Sequence, residues 1–200
     1  MSFSRDRIGD EDRGRTMNQT TTHFNAETLL EGEYLRMRRR GTWEYAERTN
    51  ASSAAIIVAV TPDDCIVFVE QYRVPIDCRT IEMPAGLVGD LGDDESIETA
   101  AARELLEESG WQAGRVEVLM TGPSSSGMSN EMVAFVRARD LVRVHAGGGD
   151  ETEDITVHEI PRTEAAAWLD AKRREGFSID PKLYAGLWFV ERNPDGSPAA

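Results

Sequence analysis

Cysteine is scarce in this chain: Cys65 and Cys78 are the only two among 200 residues. They lack zinc-type spacing, and no motif marks either as a nucleophile. Both are read as packing residues of a reduced, cytoplasmic protein. Long apolar runs are missing too. The longest clean one, Ala54 to Val60, is too short to span a bilayer. The opening stretch, MSFSRDRIGDEDRGRT, has no apolar core of the signal-peptide kind. Basic charge is in short supply: 22 Lys and Arg against 36 Asp and Glu leave a formal charge of −14. Phosphate backbones repel such a chain, which argues against nucleic acid as a partner. A small anionic substrate must then be met by local cations or a metal. His23, His145 and His158 stand at no ligand-like spacing and are assigned no catalytic role. At 40% hydrophobic and 29% charged, the composition suits one globular domain with tails.

What is present is an acidic stretch, Arg103-Glu104-Leu105-Leu106-Glu107-Glu108. On a helix turning about 100° per residue, Glu104 and Glu108 fall on one face, one turn apart. Glu107 lies about 60° to one side of Glu104. Like charges at that spacing destabilise a helix by a few tenths of a kcal/mol. A chain that gathers three carboxylates there calls for a neutralising partner, and a hard divalent cation with oxygen ligands, Mg²⁺ first, is the natural candidate. The alternative is a solvated acidic face with ordinary pairs such as Arg103 with Glu107. Ala101, Ala102, Leu105 and Leu106 cover the neighbouring arc, so one side packs.

Along the chain, residues 1–20 read as a mobile polar tail. Strands are predicted from Glu33 to Arg40 and from Trp43 to Thr49, a hairpin around Arg40-Gly41-Thr42. It carries Arg36, Arg38, Arg39 and Arg40 beside Tyr34, Trp43 and Tyr45. Such a set can hold a nucleobase and phosphates, or be the wet basic face of an amphipathic hairpin. Ala54–Val60 and Cys65–Tyr72 read as buried neighbouring strands joined by the turn Thr61-Pro62-Asp63-Asp64. Thr80-Ile81-Glu82-Met83-Pro84-Ala85-Gly86 reads as a short strand entering a glycine-containing loop, and Gly86, Gly89 and Gly92 allow close backbone approach to a ligand. The acidic helix is expected to start near Asp93 or Asp94 and to be capped by Gly110. Strands follow over Val116–Thr121, Glu131–Ala138 and Ile155–His158. Helices follow from Thr163 to Glu175 and, with Asp180 as cap and Pro181 in the first turn, on to Val190. Trp111, Leu105, Trp188 and Phe189 are assigned to the core. The division is a tail at 1–20, N-terminal strands at 21–50, a catalytic domain at 51–192 and a second tail at 193–200.

The spacing from Gly89 to Trp111 is more specific than any of these segments. Gly89, five residues, Glu95, seven residues, then Arg103-Glu104-Leu105-x-Glu107-Glu108-x-Gly110-Trp111 resembles the Nudix box, Gly-x5-Glu-x7-Arg-Glu-U-x-Glu-Glu-x-Gly-U with U bulky and apolar. The resemblance extends to Gln71-Tyr72-Arg73, Glu82-Met83-Pro84-Ala85-Gly86, Ser125-Ser126-Gly127-Met128-Ser129-Asn130-Glu131, Glu153-Asp154-Ile155 and Asp180-Pro181-Lys182. These look like the ADP-ribose and nucleoside diphosphate sugar pyrophosphatase branch over about residues 30 to 192. That branch implies an α/β (α+β) fold, an α/β/α sandwich on a mixed β-sheet with an N-terminal antiparallel hairpin. It also implies a homodimer whose N-terminal strands help bind the base. Two departures stand out. The loop from Ala85-Gly86 to Glu95 is three residues longer than usual. Ser126-Gly127 stands where ADP-ribose-specific members carry Pro-Gly, which weakens the case for that sugar.

By this resemblance Glu104, Glu107, Glu108 and the Ala85 carbonyl hold Mg²⁺, with Mn²⁺ as a substitute. Glu107 and Arg103 are placed in the catalytic set, Arg103 orienting the glutamates. Glu151 or Glu153, in the loop before Ile155, supplies the general base; a solvated acidic turn is the alternative there. Arg73 contacts phosphate or forms a structural ion pair. Glu82 and Glu131 hold ribose hydroxyls or waters, with a plain surface role as the alternative, and Trp43, Arg39 and Ser129 complete the substrate site. The reaction implied is Mg²⁺-dependent hydrolysis of a nucleoside diphosphate sugar, ADP-ribose first and GDP-mannose next. A non-catalytic nucleotide sensor is the reading from a different class, though sensors usually lack the box carboxylates present here.

Overall fold

In the computed structural model, the described residues are 25–90, 95–149 and 153–199. The expected tail at 1–20, the proposed helix start at Asp93 or Asp94, and Glu151 lie outside them. Three strands come first: β1 (Glu27–Glu31), β2 (Leu35–Arg40) and β3 (Trp43–Arg48). They form an antiparallel sheet in that order. The hairpin is as predicted, turning at Gly41 with φ 61°, but β1 is an addition that the sequence reading lacked. All five of its residues are exposed, so it has no inward face and no alternating pattern to betray it. Its pairing sets Glu27 opposite Arg39 and Glu31 opposite Arg36, opposite charges that favour the register.

The body then runs β4 (Ser53–Ala59), β5 (Cys65–Arg73), β6 (Cys78–Glu82), β7 (Ala85–Val88), α1 (Ile97–Ser109), β8 (Trp111–Gln112), β9 (Arg115–Pro123), β10 (Met132–Arg139), β11 (Val142–Arg143), β12 (Thr156–Pro161), α2 (Ala165–Arg174), β13 (Ser178–Ile179) and α3 (Lys182–Glu191). Two four-stranded sheets result, ordered β7-β4-β10-β9 and β12-β5-β6-β13. Both are mixed, because β4–β10 and β6–β13 are parallel and the other pairs antiparallel. β4 and β5 are not sheet partners, which corrects the expectation of neighbouring strands. They diverge into separate sheets, joined by the isolated bridge Val60–Ile66 on either side of the predicted turn. Among the described residues no helix is long and apolar enough to cross a membrane.

β4 explains why its sequence reads as an unbroken apolar run. Ala55, Ile57 and Ala59 join a core with Ala100, Ala101 and Leu105 of α1. Ile56 and Val58 join a second core with Leu169 of α2 and Leu183 and Phe189 of α3. A strand covered on both faces needs apolar residues at both parities, and each full burial of an Ile contributes about 1.5–3 kcal/mol. Helices on the two sides of this sheet make the expected α/β/α sandwich. Trp188 is a correction: it is 52% exposed while Phe189 is buried. Adjacent helical positions point about 100° apart, so the two cannot share one buried face.

α1 begins at Ile97, where the Ser96 side chain accepts the Thr99 N–H at 3.2 Å. It ends at Gly110, in the left-handed region at φ 74°, as expected. Ala100, Ala101 and Leu105 face the core, and the helix packs on β4 and β7. Its acidic residues therefore meet the backbone of β7 at Ala85-Gly86.

Candidate active site

Glu108 is 2% exposed. Its Oε2 accepts the Ala85 N–H at 3.0 Å. Burial pushes this carboxyl well above the usual carboxylate range, and nearby Glu153 and Glu104 push the same way against the Ala85 amide and Arg73. One turn earlier, the Glu104 side chain is 14% exposed. Burial raises it to about 7 despite the opposing pull of Arg103. The two carboxylates thus lie within electrostatic reach of one another, as the helical spacing predicts. Glu107 sits at the rim, its side chain 52% exposed. At Gly86 there is no room for a side chain, since a Cβ there would overlap the Glu104 carboxyl. Glycine at this position lets Glu104 lie against the strand.

Arg103 is the hub of the acidic face. Its guanidinium reaches Glu104 at 2.8 Å, Glu107 at 3.3 Å, Glu95 at 3.2 Å and Asp90 at 3.2 Å. These carboxylates hold it firmly protonated against the cost of its burial. Asp90 and Glu95 were assigned no role from sequence. Glu95 was visible as a fixed position of the box spacing, whereas nothing local distinguished Asp90.

Beside this face stands Arg73, whose Nε and Nη2 donate to the two oxygens of Glu82 at 2.7 and 2.6 Å. Glu82 is buried and committed to that bidentate pair. Arg73 still keeps its side chain 43% exposed and acts electrostatically on Glu108 and Asp180. Glu153 enters from the loop before β12, close enough to bear on Glu108. Ala85, Arg103, Glu104, Glu107, Glu108, Glu153, Arg73 and Glu82 are therefore brought into one neighbourhood. Glu151 lies outside the described residues.

The remaining sequence-predicted residues lie elsewhere. Trp43 and Ser129 line one depression of about 320 Å³ with Arg40, Tyr45 and Asn130. Glu131 lies in a second, polar cleft of about 450 Å³ with Arg36, Glu47, Arg48 and Gly89, and pairs with Arg48 at 2.6 Å. That cleft is not lined by the α1 carboxylates, but Gly89 donates to Glu95 at 3.5 Å and so abuts the Arg103 hub. Arg39 lines neither depression and is paired with Glu27 at 2.5 Å.

Among the described residues no three His, Cys, Asp or Glu side chains converge closely enough to cage a metal ion by themselves. The donor set nevertheless fits Mg²⁺, which keeps several waters and takes one or two carboxylates together with substrate phosphates. Two desolvated carboxylates that resist ionisation, packed on a backbone edge with space kept by Gly86, are what a hard cation would relieve.

The sequence model of the NUDIX domain matches residues 50–178, more than half of the chain. A methanol dehydrogenase activator of Bacillus methanolicus is 34% identical over 121 residues, covering 60% of this chain and 64% of the activator. The chain thus spans less than two thirds of that relative. A GDP-mannose pyrophosphatase of Enterobacter sp. (strain 638) is 35% identical over 146 residues, covering 69% of this chain and 71% of that protein. The GDP-mannose pyrophosphatase of Escherichia coli (strain K12) is 33% identical over the same length, with the same shares. Among solved structures, an ADP compounds hydrolase superposes with a TM-score of 0.66 at 23% identity, covering 84% of this chain and 91% of that one.

Proposed function

The chain belongs to the Nudix hydrolase family, and from that premise we propose that it hydrolyses the diphosphate bridge of a nucleoside diphosphate sugar. The observation that carries this is the pair of buried, charge-resisting carboxylates, Glu104 and Glu108, against Ala85-Gly86. Glu104, Glu108 and the main chain at Ala85 would hold Mg²⁺, with Glu107 at the open rim. When bound, the ion supplies charge neutralisation for the diphosphate and lowers the pKa of the attacking water. Arg103 keeps Glu104 and Glu107 on one side of the helix. Arg73, braced by Glu82, meets a phosphate oxygen. Glu153 takes a proton from the water as its oxygen bonds to one phosphorus. The bridging oxygen leaves with the other phosphate, giving a nucleoside monophosphate and a sugar phosphate. Trp43 and Ser129 are assigned to the base or sugar, in the depression they share.

The names of the relatives favour GDP-mannose as the first sugar nucleotide to test. ADP-ribose, placed first by the sequence reading, stands second. The test is a panel of GDP-mannose, ADP-ribose, UDP-glucose and a dinucleotide polyphosphate with Mg²⁺, measuring released monophosphate. Turnover of a sugar nucleotide with equal release of nucleoside monophosphate and sugar phosphate is expected. Tight binding with no turnover of any member would instead make the protein a sensor.

A further inference from the structure

A second cluster of charged groups lies outside the acidic face. Glu70 of β5 is 9% exposed. Its Oε1 accepts from Arg79 Nε at 2.5 Å, and its Oε2 meets His158 Nε2 of β12 at 3.0 Å. The His158 ring packs on Trp168, with centroids 4.9 Å apart. Arg79 is thereby held at one end by a buried, doubly engaged carboxylate. Its other end reaches out. Nη1 donates to Asp154 Oδ2 at 2.8 Å and Nη2 to the Asp154 carbonyl at 3.5 Å. Asp154 is the residue after Glu153.

The chain entering this loop is tied down as well. The Gly148 N–H donates to the Glu108 carbonyl at 2.8 Å, and the Gly149 N–H to the Glu107 carbonyl at 3.1 Å. Those carbonyls belong to the last turn of α1, which has no helical partners for them. Gly149 has φ 77°, and a Cβ on it would overlap the Glu153 carboxyl. Gly148 and Gly149 thus rest on the helix end that carries Glu107 and Glu108.

We propose that Arg79 is a positioning residue, holding Asp154 and through it aiming Glu153 at the acidic face of α1. This rests on Glu153 acting as the base. An exposed ion pair is generally weak, and the Asp154 side chain is 79% exposed. Arg79, however, is already ordered by Glu70, so the contact to Asp154 needs little further ordering. A general base must lie within hydrogen-bond reach of its proton, and a misplacement of about 1 Å costs on the order of a hundredfold in rate.

The test is kcat and KM on the best panel substrate at saturating Mg²⁺, for Arg79→Ala, Arg79→Lys, Asp154→Ala, Glu153→Gln and the double variant Arg79→Ala/Glu153→Gln. Arg79→Ala and Asp154→Ala are expected to lower kcat roughly tenfold to a hundredfold, with KM nearly unchanged. Arg79→Lys should recover part of the loss, and the double variant should be no slower than Glu153→Gln. A double variant slowed by the full Arg79→Ala factor would overturn the proposal, because Arg79 would then act independently of Glu153. So would a wild-type rate for Asp154→Ala, a variant whose exposed position leaves folding intact. Glu153→Gln at the wild-type rate would remove the base assignment itself, and the proposal with it.

Discussion

Glu104 and Glu108 are held where ionisation is unfavourable, and that has a measurable pH signature. The folded pKa of Glu104 is about 7 against an ordinary 4.5. The folded state therefore binds more protons than the unfolded one between about pH 5 and 7. Stability from this group is present below about pH 4.5 and is lost as pH rises through 7. The shift corresponds to at most about 3 kcal/mol. Glu70, Glu95, Glu117 and Glu131 are shifted the other way, so their titration falls below this window. Without metal, the thermal midpoint should fall from pH 5.5 to 8 (a window placed about the two pKa values), and Glu104→Gln should flatten that slope. An equal slope in the variant would reject the assignment. Gly86→Ala makes a second prediction at this scale. Its methyl would displace the Glu104 carboxyl, so turnover should drop by orders of magnitude while stability falls by roughly 1–3 kcal/mol; wild-type kinetics would show that Glu104 has room to move. The carboxylates were legible in sequence because helical spacing alone puts Glu104 and Glu108 together. Asp90 and Arg79 were not, because no local pattern marks the ion pairs they make with Arg103 and with Glu70 and Asp154.

At the scale of elements, α1 matters most, since it fixes the spacing of the acidic groups. The Ser96 cap satisfies one of its unpaired N–H groups. Ser96→Ala should cost about 1 kcal/mol and lower the thermal midpoint by roughly 2–4 °C, measured by calorimetry. An unchanged midpoint would mean that the helix start is set by other contacts. The helix, its Gly110 cap and most strands could be read from local patterns. Pairing could not: β4 and β5 are consecutive and apolar, yet β4 pairs with β7 and β10, and β5 with β6 and β12. β1 is invisible to pattern because a strand exposed along its whole length carries no period-two signal. Trp188 lies outside the core: apolar character alone does not give the direction of a side chain on the helix.

At the scale of the whole molecule, the N-terminal sheet is tied to the body by the segment 128–131. The Ala46 N–H donates to the Met128 carbonyl at 2.9 Å, and the Asn130 side chain donates to Glu47 at 2.8 Å. That sheet leaves Leu30, Tyr34, Leu35 and Trp43 more than half exposed. We therefore propose a homodimer in which residues 21–50 contact the partner and help bind the base, beside the catalytic domain at 51–192. Light scattering should give twice the chain mass of 22.2 kDa, and Trp43→Ala should raise KM more than it lowers kcat. A monomer at working concentration would remove this claim.

The proposed hydrolysis depends most on Glu104 and Glu108 holding a divalent ion. Mn²⁺ is a paramagnetic substitute for Mg²⁺, and free Mn²⁺ can be counted by electron paramagnetic resonance. The wild-type protein should bind Mn²⁺ in competition with Mg²⁺. A folded Glu104→Gln/Glu108→Gln variant should lose that binding by at least tenfold in affinity, on the order of 1.4 kcal/mol or more. Undiminished Mn²⁺ binding by the double variant would contradict the central claim.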